Sequence, residues 1–234
     1  MKPPARGLRP PRIKRVTDDS QTAIARRSLL RADKDLVEEI GAVLTKGARR
    51  AGEHLVCRAG CSECCYGPFP INRLDAWRLR EGLQDLRGRD PARAEAIVER
   101  ARQQAAVYHA GFPGDPDAGR LGGDEGIEDL FFERHAGVPC PVLDPATQTC
   151  ELYEHRPVFC RTYGLPLSFG GEKRPPCRLC FTTADQVTVE ACRVEPDPMQ
   201  LERAIVNRLK RDGGDSRETI ITYALLTEPG RTED

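Results

Sequence analysis

Residues 55–67 read LVCRAGCSECCYG and carry four cysteines, Cys57, Cys61, Cys64 and Cys65, within nine positions. The spacing C-x-x-x-C-x-x-C-C, with Gly60 and Gly67 letting the backbone turn tightly, can aim several sulfurs at one centre. A tetrahedral zinc site or an iron–sulfur cluster needs that convergence. Adjacent side chains leave the backbone in different directions, so Cys64 and Cys65 are not both expected on one small ion. One of the two is expected to bridge, to serve another metal or to pack.

Further along, Cys140, Cys150 and Cys160 recur ten residues apart, followed by Cys177-x-x-Cys180 and then Cys192. Asp144-Pro145 predicts a helix that reaches Tyr153 and carries Cys150 mid-helix, with Pro157 turning the chain so that Cys160 faces the same side. On that helix Tyr153 would share the face of Cys150 and pack in the core. Cys177-x-x-Cys180, with Cys192 across the expected strand, resembles half of a zinc ribbon. The expected ligand set is therefore Cys57, Cys61, Cys64, Cys65, Cys140, Cys150, Cys160, Cys177 and Cys180. One metal is expected chiefly on Cys61, Cys64, Cys150 and Cys160, and Cys192 is left without a role. His54, His135 and His155 are read as ordinary surface or core residues, and no catalytic residue is assigned.

The segments between these cysteines are mostly helical. Leu36, Ile40, Val43 and Leu44 mark a first core helix; Leu74, Trp77, Leu79, Leu83 and Leu86 mark a second. Asp90-Pro91 caps and opens a third with Ile97, Ala101, Ala105 and Tyr108, so the pair should form a helical hairpin. Residues 110–126 hold six Gly and two Pro and are expected to be a surface loop insertion. A short helix is expected near Ile127–His135, and the alternating run Gln186–Glu190 is the one expected strand. Asp197-Pro198 opens a helix with Leu201, Ile205 and Leu209, stopped at Gly213-Gly214. The predicted fold is thus mainly α, a small helical metal-binding domain over residues 31–214 with cysteine-rich loops and at most a minor β element.

The ends are less structured. Residues 1–16 hold six basic residues, four prolines and no acid, so residues 1–30 are expected to be a disordered basic arm, and 215–234 a partly disordered C-terminal segment. Over the whole chain 36 Lys+Arg balance 36 Asp+Glu, which removes any global field for nucleic acid or a membrane surface. No apolar run is long enough to span a bilayer, and no signal-peptide core is present, so a cytoplasmic location is expected. In a reducing compartment, ten clustered cysteines point to metal rather than to disulfides.

The cluster from Cys57 to Cys65, together with Cys140-Pro141, Cys150, Tyr153, Arg156-Pro157 and Cys160-Arg161, resembles the YkgJ-like cysteine-cluster family of zinc- or iron-chelating, C-x-x-C-x-x-C-C proteins. The tail motif C-x-x-Y-x-x-R-P-x-x-C-R is matched in full, whereas the first gap is three residues rather than two. The resemblance implies a metal-binding protein of structural or accessory role with Zn²⁺ or a [4Fe-4S] cluster as cofactor. It also implies an alternative, because the same cluster occurs in flagellin lysine N-methylases: an iron–sulfur-dependent enzyme. No S-adenosylmethionine loop is recognisable here. A zinc-ribbon interaction module using Cys177 and Cys180 is a third reading. Arg156 and Arg161 are candidates for offsetting the negative charge of clustered thiolates.

Overall fold

The computed structural model describes residues 18–227. Its first element, α1 (Asp18–Ala51), buries Leu36 and Ile40 as the spacing predicts. The helix also takes in residues 18–30 of the expected arm, and Leu29 is buried at 2% exposure. The run Ala25–Leu30 consists largely of Ala, Arg and Leu, strong helix formers that carry the helix back through it. Residues 1–17 and 228–234 lie outside the described residues.

The helical hairpin forms as expected from α2 (Arg73–Arg89) and α3 (Pro91–Tyr108). Asn72 caps α2 by accepting from the amides of Leu74 and Asp75, and Asp90 caps α3 by accepting from Arg93. Leu79, Leu83, Leu86, Ile97 and Ala101 fill the seam between them. The third member of this core is α8 (Ile221–Leu226), which lies in the segment expected to be loose. Ile220 and Ala224 are fully buried, and the Arg80 side chain donates to the carbonyl of Ala224 at 3.0 Å. A six-residue helix has too few turns for periodicity to reveal, so its packing rather than its pattern makes it.

The expected loop insertion is an ordered hairpin. Strands β1 (Gly114–Asp115) and β2 (Arg120–Leu121) pair antiparallel, and Phe112 and Leu121 join Tyr108, Phe131 and Tyr223 in a second cluster. Gly119, at φ +63°, sits where a Cβ would strike the Tyr223 ring. Next comes α4 (Glu125–Arg134), capped by Asp124.

Residues 145–153 do not form the expected helix. Asp144 draws the amide of Ala146 and the hydroxyl of Thr147 to its carboxylate, Gln148 takes a left-handed conformation, and Leu143 bridges back to Cys150. Local side-chain capture of the backbone has won over helix propagation. Tyr153 is correspondingly 54% exposed rather than in the core.

The short helix α5 (Val158–Thr162) carries Cys160 and is followed by the hairpin of β3 (Leu167–Phe169) and β4 (Glu172–Arg174), which turns on Gly170-Gly171. Residues Gln186–Ala191, expected as a strand, are helix α6. Asp185 caps it by accepting from Thr188, and of its two valines only Val189 approaches a core while Val187 is exposed, so the alternation never faced two environments. Finally α7 (Leu201–Arg211) starts where Asp197 accepts from Leu201 and Glu202 and stops at Gly213-Gly214, as expected. It packs on α1 with Val158 of α5.

The described residues are therefore mainly α with two small two-stranded sheets. Among the described residues no helix is long and apolar enough to cross a membrane.

Candidate metal centre

The cysteine loop runs from Leu55 through a 3₁₀ turn at Glu63–Cys65. The extra residue in its first gap is absorbed by Gly60 at φ +85°, after which the amide of Cys61 closes a turn onto Arg58. Its far end is fixed by backbone pairing: Cys140 donates to Cys65 at 2.7 Å, and Gly67 donates to Val138 at 2.8 Å. The Leu143–Cys150 bridge then returns Cys150 toward Cys140. Gln148, at the tip of that turn, accepts from Ser62 at 2.9 Å and ties the turn to the cysteine loop.

These constraints gather Cys64, Cys65, Cys140, Cys150 and Cys160 into an inner group. Cys140 and Cys150 pack against the core of α2, α3 and α8. Burial drives the Cys160 thiol well up, and the thiols of Cys140, Cys64 and Cys150 push it further; burial likewise raises Cys140 to about 12. Cys64 is the exception. A hydrogen bond from Cys65 lowers it to about 7, with help from the Arg156 guanidinium, while the same bond raises Cys65.

Cys57, Cys61, Cys177 and Cys180 form an outer group. Cys57 and Cys180 stand Sγ to Sγ at 3.8 Å, and the Cys57 thiol is pushed up to about 12 by desolvation first, then by Cys180, Cys61 and Cys177. Cys180 donates its amide to Cys177 at 2.8 Å, closing the knuckle turn, and Cys177 donates to Gly164 at 3.3 Å. Cys177 and Cys180 rest on a different core, built from Ala51, Leu165, Phe181, Cys192 and Val194. The expected partnership of Cys61 with Cys64, Cys150 and Cys160 is thus divided, with Cys61 on the outer side.

Among the described residues no group of three or more His, Cys, Asp or Glu side chains is placed to hold a metal ion. Three features of the donor set nevertheless fit a thiophilic cation. Crowded thiols that raise one another's pKa are what a divalent charge reverses. In the inner group the buried Nε of Arg156 has no hydrogen-bond partner and lies near Cys64 and Cys150, where thiolate charge would satisfy it. In the outer group Gly164, at φ +106°, brings the backbone so close to the thiols that a Cβ there would come within 2.8 Å of the Cys57 sulfur.

The other residues singled out in the sequence lie elsewhere. Arg161 braces the backbone, donating to the carbonyls of Arg156 at 3.1 Å and of Glu154. Tyr153 supports Arg156, whose guanidinium stacks 3.7 Å from its ring. His54 stacks on Phe181, His135 lies against Tyr108 and Phe131, and His155 faces Asp85. Cys192 is buried, with its thiol against the Arg50 carbonyl at 3.8 Å, and is a packing residue.

Sequence reasoning missed the buried pair that positions Cys160. Asp75 accepts the amide of Val158 at 3.0 Å, and Arg78 bridges Asp75 to Asp33 of α1. Asp75 and Arg78 lie three apart on a helix, an ordinary surface pattern, so the spacing alone gave no sign of burial.

No curated protein and no solved structure matches the chain. A family model matches residues 56–180, a span that holds nine of the ten cysteines and leaves out only Cys192. With just over half of its length matched, the chain belongs to the CxxCxxCC family, described as a "Putative zinc- or iron-chelating domain".

Proposed function

We propose that this protein chelates zinc or iron through thiolates, with its principal centre on Cys64, Cys140, Cys150 and Cys160 and with Cys65 hydrogen-bonded beside it. The single observation that carries this reading is the buried, unpartnered Arg156 Nε next to a Cys64 thiol already lowered to about 7. A guanidinium in that position is costly beside neutral thiols and favourable beside thiolates.

Four thiolates on a divalent ion carry a net charge of about −2, and a closed Cys₄ set supplies folding free energy rather than an open position for chemistry. For zinc that contribution is about 10–16 kcal/mol in finger peptides, comparable to the stability of a whole domain. An iron–sulfur cluster on the same sulfurs would supply electron transfer. The protein's own part is to hold the sulfurs: Asp75 fixes the start of α5, the Cys65–Cys140 backbone bond fixes the loop, and Arg156 screens the charge.

Zinc and iron content of wild type, Cys64→Ser and Cys160→Ser, each purified anaerobically, tests the reading. Each substitution should lower the metal content. Unchanged content in both variants would refute the assignment.

A further inference from the structure

The outer group contains four thiols, rests through Cys177 and Cys180 on its own core and is closely backed by the Gly164 backbone. We infer that Cys57, Cys61, Cys177 and Cys180 form a second, separate centre for a tetrahedral thiophilic cation of the Zn²⁺ type, so that one cysteine loop feeds two ions. It shares with the preceding reading only the premise that clustered thiols here take up metal.

The geometry is that of a ribbon closed from two knuckles. Cys177-x-x-Cys180 turns through the 2.8 Å bond between its ends, and Cys57-x-x-x-Cys61 turns through Gly60 and the Arg58–Cys61 bond. A tetrahedron of sulfurs at about 2.3 Å from zinc has edges of about 3.8 Å. The Cys57–Cys180 separation is 3.8 Å. The two loops are clasped by the ion pair of Glu63 with Arg178.

Separation from the inner group follows from the chain. Cys140 and Cys150 lean on the α2–α3–α8 core, whereas Cys177 and Cys180 lean on the core of Ala51, Leu165 and Phe181. Cys61 and Cys64 lie three residues apart, at most about 11 Å even at full extension, so the two centres are neighbours. Gly164 contributes what only glycine can. Its positive φ and missing Cβ let the backbone lie against the sulfurs of Cys57 and Cys180.

Uptake at this centre deprotonates four thiols, and the protons go to solvent, leaving a net charge of −2 on the filled site. Cys57 is exposed, whereas Cys64, Cys140, Cys150 and Cys160 are all partly buried, so this ion should exchange with solvent faster than the inner one.

The test is a Zn²⁺ titration of the full chain after chelator stripping, with bound zinc counted and thiol protection measured. Wild type should take up two equivalents, and both the double variant Cys177→Ser/Cys180→Ser and the double variant Cys64→Ser/Cys160→Ser should each retain one. Gly164→Ala keeps every sulfur and should weaken only the second equivalent, by about tenfold or more, the usual scale for disturbing groups around a ligand shell. Wild-type stoichiometry in Cys177→Ser/Cys180→Ser would overturn the second centre. A single wild-type equivalent lost in both double variants would show one shared centre and overturn this inference while leaving the earlier reading standing. No zinc uptake by wild type would overturn both.

Discussion

Replacing Arg78 by Met should cost this protein much of its stability and loosen its metal centre as well. The guanidinium is 8% exposed and serves two carboxylates, Asp33 on α1 and Asp75 on its own helix, which are 3% and 6% exposed. Methionine fills similar space but leaves both carboxylates buried without the cation that pairs with them. Removing one partner of such a pair costs about 3–5 kcal/mol, and at about 2–4 °C per kcal/mol for a chain of this length Tm should fall by roughly 6–20 °C.

The loss should depend on pH. Burial already raises the pKa of Asp33 and Asp75 despite Arg78, and without the guanidinium both rise further. A carboxyl with a raised folded pKa favours the folded state at low pH and disfavours it as pH climbs through that value. The deficit should therefore be larger at pH 8 than at pH 6. Thermal unfolding of the metal-loaded protein, followed by circular dichroism at both pH values, reads it directly. The triple variant Asp33→Leu/Asp75→Asn/Arg78→Met should regain most of the loss, because the Asp75→Asn change keeps an amide oxygen to accept from Val158 while the buried charges vanish. A fall of less than about 4 °C at pH 8, or a deficit that grows toward low pH, would refute this reasoning.

Arg156→Gln should lower metal affinity with little effect on Tm of the stripped protein, whereas Arg156→Lys should retain more of it; competition with a chromophoric chelator measures the difference. Glu202 is raised to about 7 by burial and by the Asp75 charge, with Asn72 donating to it at 2.8 Å. Its contribution to stability is present in acid and lost as pH rises through 7, so Glu202→Gln should stabilise the protein at pH 8 and flatten its pH profile. Leu29→Ala should cost about 2–5 kcal/mol in denaturant unfolding, a loss that an unstructured arm would not show.

The helices that hold the scaffold were legible because their signals are local and repeated. Leu79, Leu83 and Leu86 at helical spacing, Asp90-Pro91 at a cap and Asp197 ahead of Leu201 each state their structure within one or two turns. The elements that were not legible depend on distant partners. Ile221–Leu226 is a helix because the α2–α3 seam receives it, and Phe112 and Leu121 are ordered because Tyr223 lies beneath Gly119. At Asp144 a carboxylate captured its neighbours' amides and made a turn where the same Asp-Pro pair elsewhere opens a helix.

The site divides in the same way. That cysteines 57–65 suit a metal can be read from their spacing, and the family match agrees in kind. Which sulfurs keep company cannot be read so, because spacing sets how far a side chain reaches and not which core it lands on. The decisive neighbours, Arg156, Gly164 and the Asp75–Arg78 pair, are single residues whose meaning appears only once the chain is folded.

X-ray absorption at the zinc and iron edges of the anaerobically purified full chain tests the central claim most directly. Thiolate chelation predicts a first shell dominated by sulfur, at about 2.3 Å if the metal is zinc, and loss of sulfur neighbours in Cys64→Ser/Cys160→Ser. A shell of nitrogen and oxygen alone, or protein free of both metals, would contradict it.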